Sequence, residues 1–406
     1  MPAPCRWRPP GAPCSADRVR ASLLCLLCAC GALTPPSSDA GTGGGTASTG
    51  GGGGTSTGGG TSTGGGTATG GGTATGGGTA TGGGTATGGG TGEFTFSRLT
   101  FSPVPSGVVN SPDVVGLARR TNGELWVALA DSSIYLAASG SQTLRPLANL
   151  PSIPTTRTQV TGLAVTPTEV FISKAGSVHH CTGTCASHND FTVATSVGGL
   201  ETTVALCARD ARVFMLSQSG STSSLWEYQG GTFTKTVADV GVAHGMGCFI
   251  AENGDVLVVG DDSNVAVLTS NGGLNNEPID LGAHPGASWR SVTTSATGGF
   301  LVGGGSGYRF ATRQAGHWVD LAPNTAGAVM TTVLAAGADV YAGGFTNTGS
   351  TATPAFFKWN GTSFVALSPP PFAIDVTDGL AVSANELYFG GPSRTSGSYE
   401  VLHGTR

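Results

Sequence analysis

An apolar pair returns along this chain with a period near 44 residues. It stands as Leu125-Trp126, Val170-Phe171, Val213-Phe214, Val256-Leu257, Phe300-Leu301, Val340-Tyr341 and Leu387-Tyr388, at spacings of 45, 43, 43, 44, 40 and 47. Independent landmarks keep the same register. Gly-Leu-Ala begins at Gly116, Gly162 and Gly379, each shortly before its pair, and Asn122-Gly123-Glu124 recurs as Asn253-Gly254-Asp255. A diglycine follows the later pairs at Gly303-Gly304, Gly343-Gly344 and Gly390-Gly391. Asn-Gly ahead of an apolar run is a strong hairpin signal, so each unit reads as short strands joined by tight turns.

A period of this length with strand chemistry throughout is the mark of a β-propeller. We expect residues 93–406 to form an all-β, seven-bladed propeller of four-stranded blades. The last repeat is short, because little more than one strand follows Gly391. Phe94, Phe96, Leu99 and Phe101, ahead of the first repeat, make an apolar β-like segment that can supply the missing strand. Pairing the two chain ends would close the ring and remove its exposed edges. The segment from Val340-Tyr341-Ala342-Gly343-Gly344-Phe345 to Lys358-Trp359-Asn360-Gly361-Thr362 resembles the bacterial Kelch-like, diglycine-repeat propellers. The likeness covers mainly residues 289–406 and implies a fold, since propellers host enzymes, adhesins and scaffolds alike.

The first 92 residues serve another purpose. Residues 41–92 contain only Gly, Thr, Ala and Ser, and Thr-(Ser/Ala)-Thr-Gly-Gly-Gly repeats six times over 55–90. Such a stretch has no apolar surface to bury and reads as a flexible, disordered tether. Ahead of it, residues 21–29 (ASLLCLLCA) follow Arg18 and Arg20 and are too short to span a bilayer. A basic stretch, a short apolar stretch and a small residue describe a secretory signal over residues 1–29. Leu27-Cys28-Ala29-Cys30 resembles a bacterial lipobox, which implies that Cys30 is the lipidated first residue of the mature chain. Residues 30–92 then become a lipid-anchored linker, with the membrane as the first partner. The protein is expected in the bacterial cell envelope, at the outer membrane or cell surface or facing the periplasm.

Charged residues make up 11% of the chain, with a formal charge of −5 and only three lysines, Lys174, Lys235 and Lys358. An acidic, lysine-poor domain lacks the footprint for phosphate backbones, so no nucleic-acid partner is expected. Four cysteines fall in the repeat region, and an exported domain favours disulfides. Cys181 and Cys185 flank a Thr-Gly-Thr turn, and Cys207 and Cys248 lie in adjacent repeats. His179, His180 and His188 crowd the first pair and raise the question of zinc, which an oxidising compartment disfavours.

The known catalytic patterns, HExxH, a P-loop and the sialidase box, do not occur in the repeat region. Counting twelve residues back from each pair gives Asp113, Thr158, Glu201, His244, Ser288, Ala328 and Asp375, with Arg290 and Asp378 close by. If these equivalent positions face a common axis, they form a candidate ligand site at the channel mouth. Such a ring could hold calcium through carboxylates or supply an acid/base pair, although no cofactor is required. The expected function is a non-catalytic binding or scaffold module for a protein or glycan partner. The alternative is a propeller hydrolase or lyase acting on an extracellular sugar or lactone at the same mouth.

Overall fold

The computed structural model describes residues 72–74, 78–79, 94–103, 113–147, 160–174, 176–197, 201–261, 264–281, 288–304, 309–321, 328–348, 351–367, 374–394 and 398–406. The chain divides into two units, Met1–Gly60 and Thr61–Arg406. The signal segment, Cys30 and most of the tether lie outside the described residues. Within the tract expected to be coil throughout, Gly72–Ala74 pairs with Gly78–Thr79 in one antiparallel ladder.

Each repeat folds as an antiparallel meander. Thr202–Arg209, Arg212–Ser219, Thr222–Gln229 and Thr232–Val237 show the pattern plainly, each strand pairing with the next. The third and fourth of these meet at Gln229↔Thr232 across Gly230 and Gly231, both at positive φ. A two-residue hairpin loop needs that conformation, which glycine adopts without steric cost. Equivalent meanders include Val160–Val165 through Thr192–Ser196, and a twelve-stranded sheet contains three more in succession from Gly247–Ile250 to Phe364–Ala366. The first repeat forms a sheet joined at its edge by Thr100–Phe101, which runs parallel to Thr143–Pro146. In the last sheet, Asp378–Ser383, Glu386–Pro392 and Tyr399–Thr405 are completed by Thr95–Arg98 from the N-terminal side, with Thr95 opposite Thr405 and Arg98 opposite Leu402.

The apolar pair occupies the second strand of each sheet, and both of its residues are buried. Successive side chains on a strand point to opposite faces, so one residue of the pair packs against the preceding sheet and the other against the following one. Trp126 and Val170 share one core, Phe171 and Val213 the next, then Phe214 with Val256, and Tyr341 with Leu387. Tyr388 of the last sheet meets Leu125 of the first in a core that also holds Leu99 and Phe101. The stacking therefore returns to its start. Strands covered on both faces read as continuous apolar runs, which is why the pair stands out in the sequence.

One repeat departs from the expected register. Phe300 packs toward the following sheet and Leu301 toward the preceding one, the reverse of every other pair. The equivalent pair is Gly299-Phe300, one residue earlier. A Cβ on Gly299 would lie 2.8 Å from the Trp318 indole, so the ring of Trp318 fills the place of the missing side chain.

Both cysteine pairs are bridged. Cys181–Cys185 and Cys207–Cys248 each hold their Cα atoms 5.8 Å apart. The second ties Thr202–Arg209 to Gly247–Ile250, the innermost strands of adjacent sheets. With its cysteines bridged, the first turn has no thiolates to offer a metal. His180 there stacks on Phe171 at 5.9 Å, and desolvation and Lys174 push the imidazole of His179 down.

Candidate functional site at the central channel

The innermost strands surround a central cavity of about 720 Å³, within the size range of small-molecule sites. The start of these strands is irregular. Register shifts fall between Val114 and Gly116, Thr203 and Ala205, Trp289 and Ser291, and Met330 and Thr332, and opposite Thr161. Each shift is a β-bulge, in which one extra residue is left outside the ladder and the strand bends. The bulged residues Val115, Thr161, Val204, Arg290 and Thr331 all line the cavity, as do Gly247 and Asp378. With the fifth pair corrected to Gly299-Phe300, Thr161, Val204, Gly247, Arg290, Thr331 and Asp378 each stand nine positions before their pairs, not twelve.

The expected ring is split, with Asp113 on the wall although it stands twelve positions before its pair. Asp113, Arg290 and Asp378 line the channel, whereas Glu201, His244 and Asp375 do not. Glu201 accepts a hydrogen bond from the Ser217 hydroxyl at 2.6 Å and pairs with Lys235 at 3.1 Å. Burial opposes its ionisation, but those contacts outweigh it and hold the carboxyl below its ordinary range. His244 lies 3.4 Å from Asp261, and Asp375 is paired with Arg394. Ser288 begins its strand outside the cavity wall, Ala328 begins the strand Ala328–Ala336, and Thr158 lies outside the described residues. The three diverted groups each have a partner elsewhere on the fold, and the ring does not converge as a set. Among the described residues no group of three or more His, Cys, Asp and Glu is arranged to hold a metal ion.

Glycines and hydroxyls set how closely the inner strands approach. A Cβ on Gly116 would lie 2.4 Å from that of Leu163, and one on Gly247 would lie 2.5 Å from the Arg290 carbonyl oxygen. The diglycines have a related role. Cβ atoms on Gly303, Gly344 and Gly391 would fall about 2 Å from the carbonyl oxygens of Ser288, Val329 and Asp375, where the chain turns into the inner strand. Gly260 makes the same approach to Ala243 in a repeat without a diglycine, so one glycine suffices.

Asp378 joins the last sheet to the first. Its Oδ2 accepts a hydrogen bond from the Leu117 backbone N–H at 2.7 Å, and the neighbouring Thr377 hydroxyl donates to the Val114 carbonyl at 2.8 Å. Desolvation pushes the Asp378 carboxyl up to about 7, although hydrogen bonds from the backbone at Gly379 and Leu117 pull the other way. Arg290 has its side chain exposed in the channel and forms no ion pair among the described residues. Thr331, whose hydroxyl donates to the Val376 carbonyl at 2.6 Å, stands between these two charges on the wall.

The tryptophans that recur in the outer strands pack inside the fold. Trp318 is fully buried and its indole N–H donates to Glu277 at 2.9 Å. Trp226 donates to Ser217 beneath the Lys235 ammonium, and Trp359 packs edge-on against Phe300.

No protein-family model matches the chain, and no curated protein matches it. Solved structures do. The WD40 repeats of RRP9 align with a TM-score of 0.58 at 11% identity, covering 77% of this chain and 99% of that one. YCF48 bound to a D1 peptide aligns at 0.55 and 8% identity, covering 78% and 97%. The extracellular domain of the one-component system BT4673 from B. thetaiotaomicron aligns at 0.50 and 8% identity, over 76% of this chain and 39% of that one. At such identities the likeness is one of fold. The chain is an all-β propeller of the WD40-like kind, and no helix among its described residues is long and apolar enough to cross a membrane.

Proposed function

We propose that this protein is a non-catalytic binding module of the bacterial cell envelope, anchored by a lipid on Cys30 and presenting a propeller to a protein partner. The count of seven blades divides the twelve-stranded sheet into its three meanders, and the run of inter-sheet cores from Leu125 back to Tyr388 supports it. The observation that carries the binding reading is the state of the mouth. Glu201, His244 and Asp375 are held by partners of their own, so that face offers a fixed shape and fixed charges rather than a converging acid and base. YCF48, whose fold this chain shares, is a propeller with a bound peptide.

A photo-crosslinking residue placed at His244, on the mouth, and another at Val365, on an outer strand, test this in envelope preparations of the full chain. The reading requires a discrete protein adduct from the mouth position that the outer position does not give. Adducts from neither position, or a glycan adduct, would overturn the protein partner. The anchor is tested by Cys30→Ser, which should move the protein from the membrane to the soluble fraction, because stable attachment needs more than one acyl chain. Unchanged fractionation refutes lipidation.

A further inference from the structure

The channel itself carries a feature that a partner at the mouth would leave unused. Two unlike charges, the guanidinium of Arg290 and the carboxylate of Asp378, line one cavity wall with a single inner strand, Ala328–Ala336, between them. They do not pair with each other among the described residues. Between them the wall includes Val329, Thr331, Thr332 and Phe345, and the Thr331 hydroxyl is already committed to backbone carbonyls. Asp378 is fixed by the Leu117 N–H and its own strand, so it cannot swing toward Arg290 without breaking the seam between the last sheet and the first.

We propose that the channel binds a free α-amino acid, with Arg290 taking its carboxylate and Asp378 its ammonium group. The chemistry follows from the donor set. A guanidinium presents a planar fork that suits a carboxylate, and a desolvated carboxylate on a fixed backbone suits an ammonium. A ligand carrying one charge satisfies one group and leaves the other facing it, whereas a zwitterion satisfies both at once. The cavity of about 720 Å³ leaves room beside the dipolar head for a side chain and water.

Binding is linked to a proton. Desolvation pushes the Asp378 carboxyl up to about 7, and an ammonium group bound against it favours the ionised form. Uptake of the amino acid then releases protons near neutral pH, and affinity rises with pH through that range. The charged groups that share the cavity with Asp378 are Asp113, ahead of the first inner strand, and Arg290; the strand between contributes Val329, Thr331 and Thr332, none of them charged. Asp113 adds negative potential on the ammonium side and Arg290 opposes it.

Equilibrium dialysis of the full chain against an equimolar mixture of the twenty L-amino acids, read by mass spectrometry, tests the assignment. The same mixture is run as N-acetyl derivatives, which lack the ammonium, and as amides, which lack the carboxylate. At least one free amino acid should be retained, with its acetylated and amidated forms held at least about tenfold more weakly. Arg290→Gln should weaken the free acid and leave the amide unaffected, and Asp378→Asn should weaken the free acid and leave the acetylated form unaffected. Asp378→Asn keeps an acceptor oxygen for Leu117, and Arg290→Gln alone decides the carboxylate half if the first variant fails to fold. Retention of no free amino acid, or equal retention of capped and free forms, overturns the proposal. Either failure leaves the photo-crosslinking outcome at the mouth to judge the binding-module reading separately.

Discussion

Two junctions of this ring are held by opposite means. Where Thr202–Arg209 meets Gly247–Ile250, a disulfide between Cys207 and Cys248 spans the inner strands, above a core of Phe214, Leu216, Val256 and Val258. Where the last sheet meets the first, the inner strands are joined by Asp378 to Leu117 and Thr377 to Val114, with Arg119 and Glu386 paired nearby. His403 and Tyr388 complete that cluster, stacked at 4.5 Å and both bonded to Glu386. The first junction joins neighbours in sequence and is covalent. The second joins the two ends of the fold through polar groups, and part of its last sheet is a strand borrowed from the N-terminal side. A closed ring has one such seam, and here titrating groups are added to the apolar core that holds Leu99, Phe101, Leu125 and Tyr388.

Removing the borrowed strand should be the largest perturbation. Deleting residues 94–101 strips the last sheet of an edge strand and takes Leu99 and Phe101 from the seam core, a loss of several kcal/mol at about 1.5–3 for each large apolar side chain. Circular dichroism and gel filtration should then show an expanded or aggregating protein. A compact, cooperatively melting protein would show that the strand is dispensable.

Opening the covalent junction comes next. Cys207→Ala with Cys248→Ala releases a loop with a sequence separation of 41, which in the chain-entropy account is worth about 4 kcal/mol. The corresponding double variant at Cys181 and Cys185, with a separation of 4, should cost about half as much. Denaturant unfolding checks both, and equal losses would count against the loop-length argument.

Smaller effects should appear in the pH dependence of the seam, and with opposite signs. Burial opposes the ionisation of Glu386, but Tyr388, Arg119 and His403 overcome it and hold its pKa below 4.5. Its contribution is therefore present above that value and is lost as pH falls through the folded pKa. Glu386→Gln should cost about 1 kcal/mol at neutral pH and progressively less as pH falls through the folded pKa. Asp378 behaves the other way. Its pKa is raised from 3.8 to about 7, so the folded chain binds the proton more tightly and stability declines as pH rises across that interval. Thermal melts from pH 4 to 8 should show this decline in the parent and a flatter profile in Asp378→Asn.

Much of this architecture could be read from residue order. The apolar pairs lie on strands covered on both faces, so burial imposes them in every repeat and the period survives. The same pressure made the N-terminal Phe94-to-Phe101 segment recognisable as a strand seeking a sheet. The register of the channel was harder to see. A bulged residue has no signature in composition, so the repeat pattern does not mark which position ahead of the pair faces the channel; the count of twelve landed on Glu201, His244 and Asp375, which lie outside the wall, while Arg290 and Thr331 stand at nine. The partners that divert those three groups, Lys235, Asp261 and Arg394, lie on other strands or loops, where no local pattern announces them. Gly299 hid a shift for a related reason, since its side-chain place is filled by Trp318 from another strand.

Asp378 is at once the acceptor that joins the last sheet to the first and a carboxyl on the channel wall that desolvation pushes up to about 7. The Leu117 amide resonance, followed by nitrogen-proton correlation spectroscopy from pH 5 to 9, reports on both roles, because that N–H donates to the carboxylate. We expect its chemical shift to titrate with a midpoint near 7 in the parent and to stay flat in Asp378→Asn. A Leu117 amide that does not respond to pH in the parent would contradict the seam and the channel chemistry together.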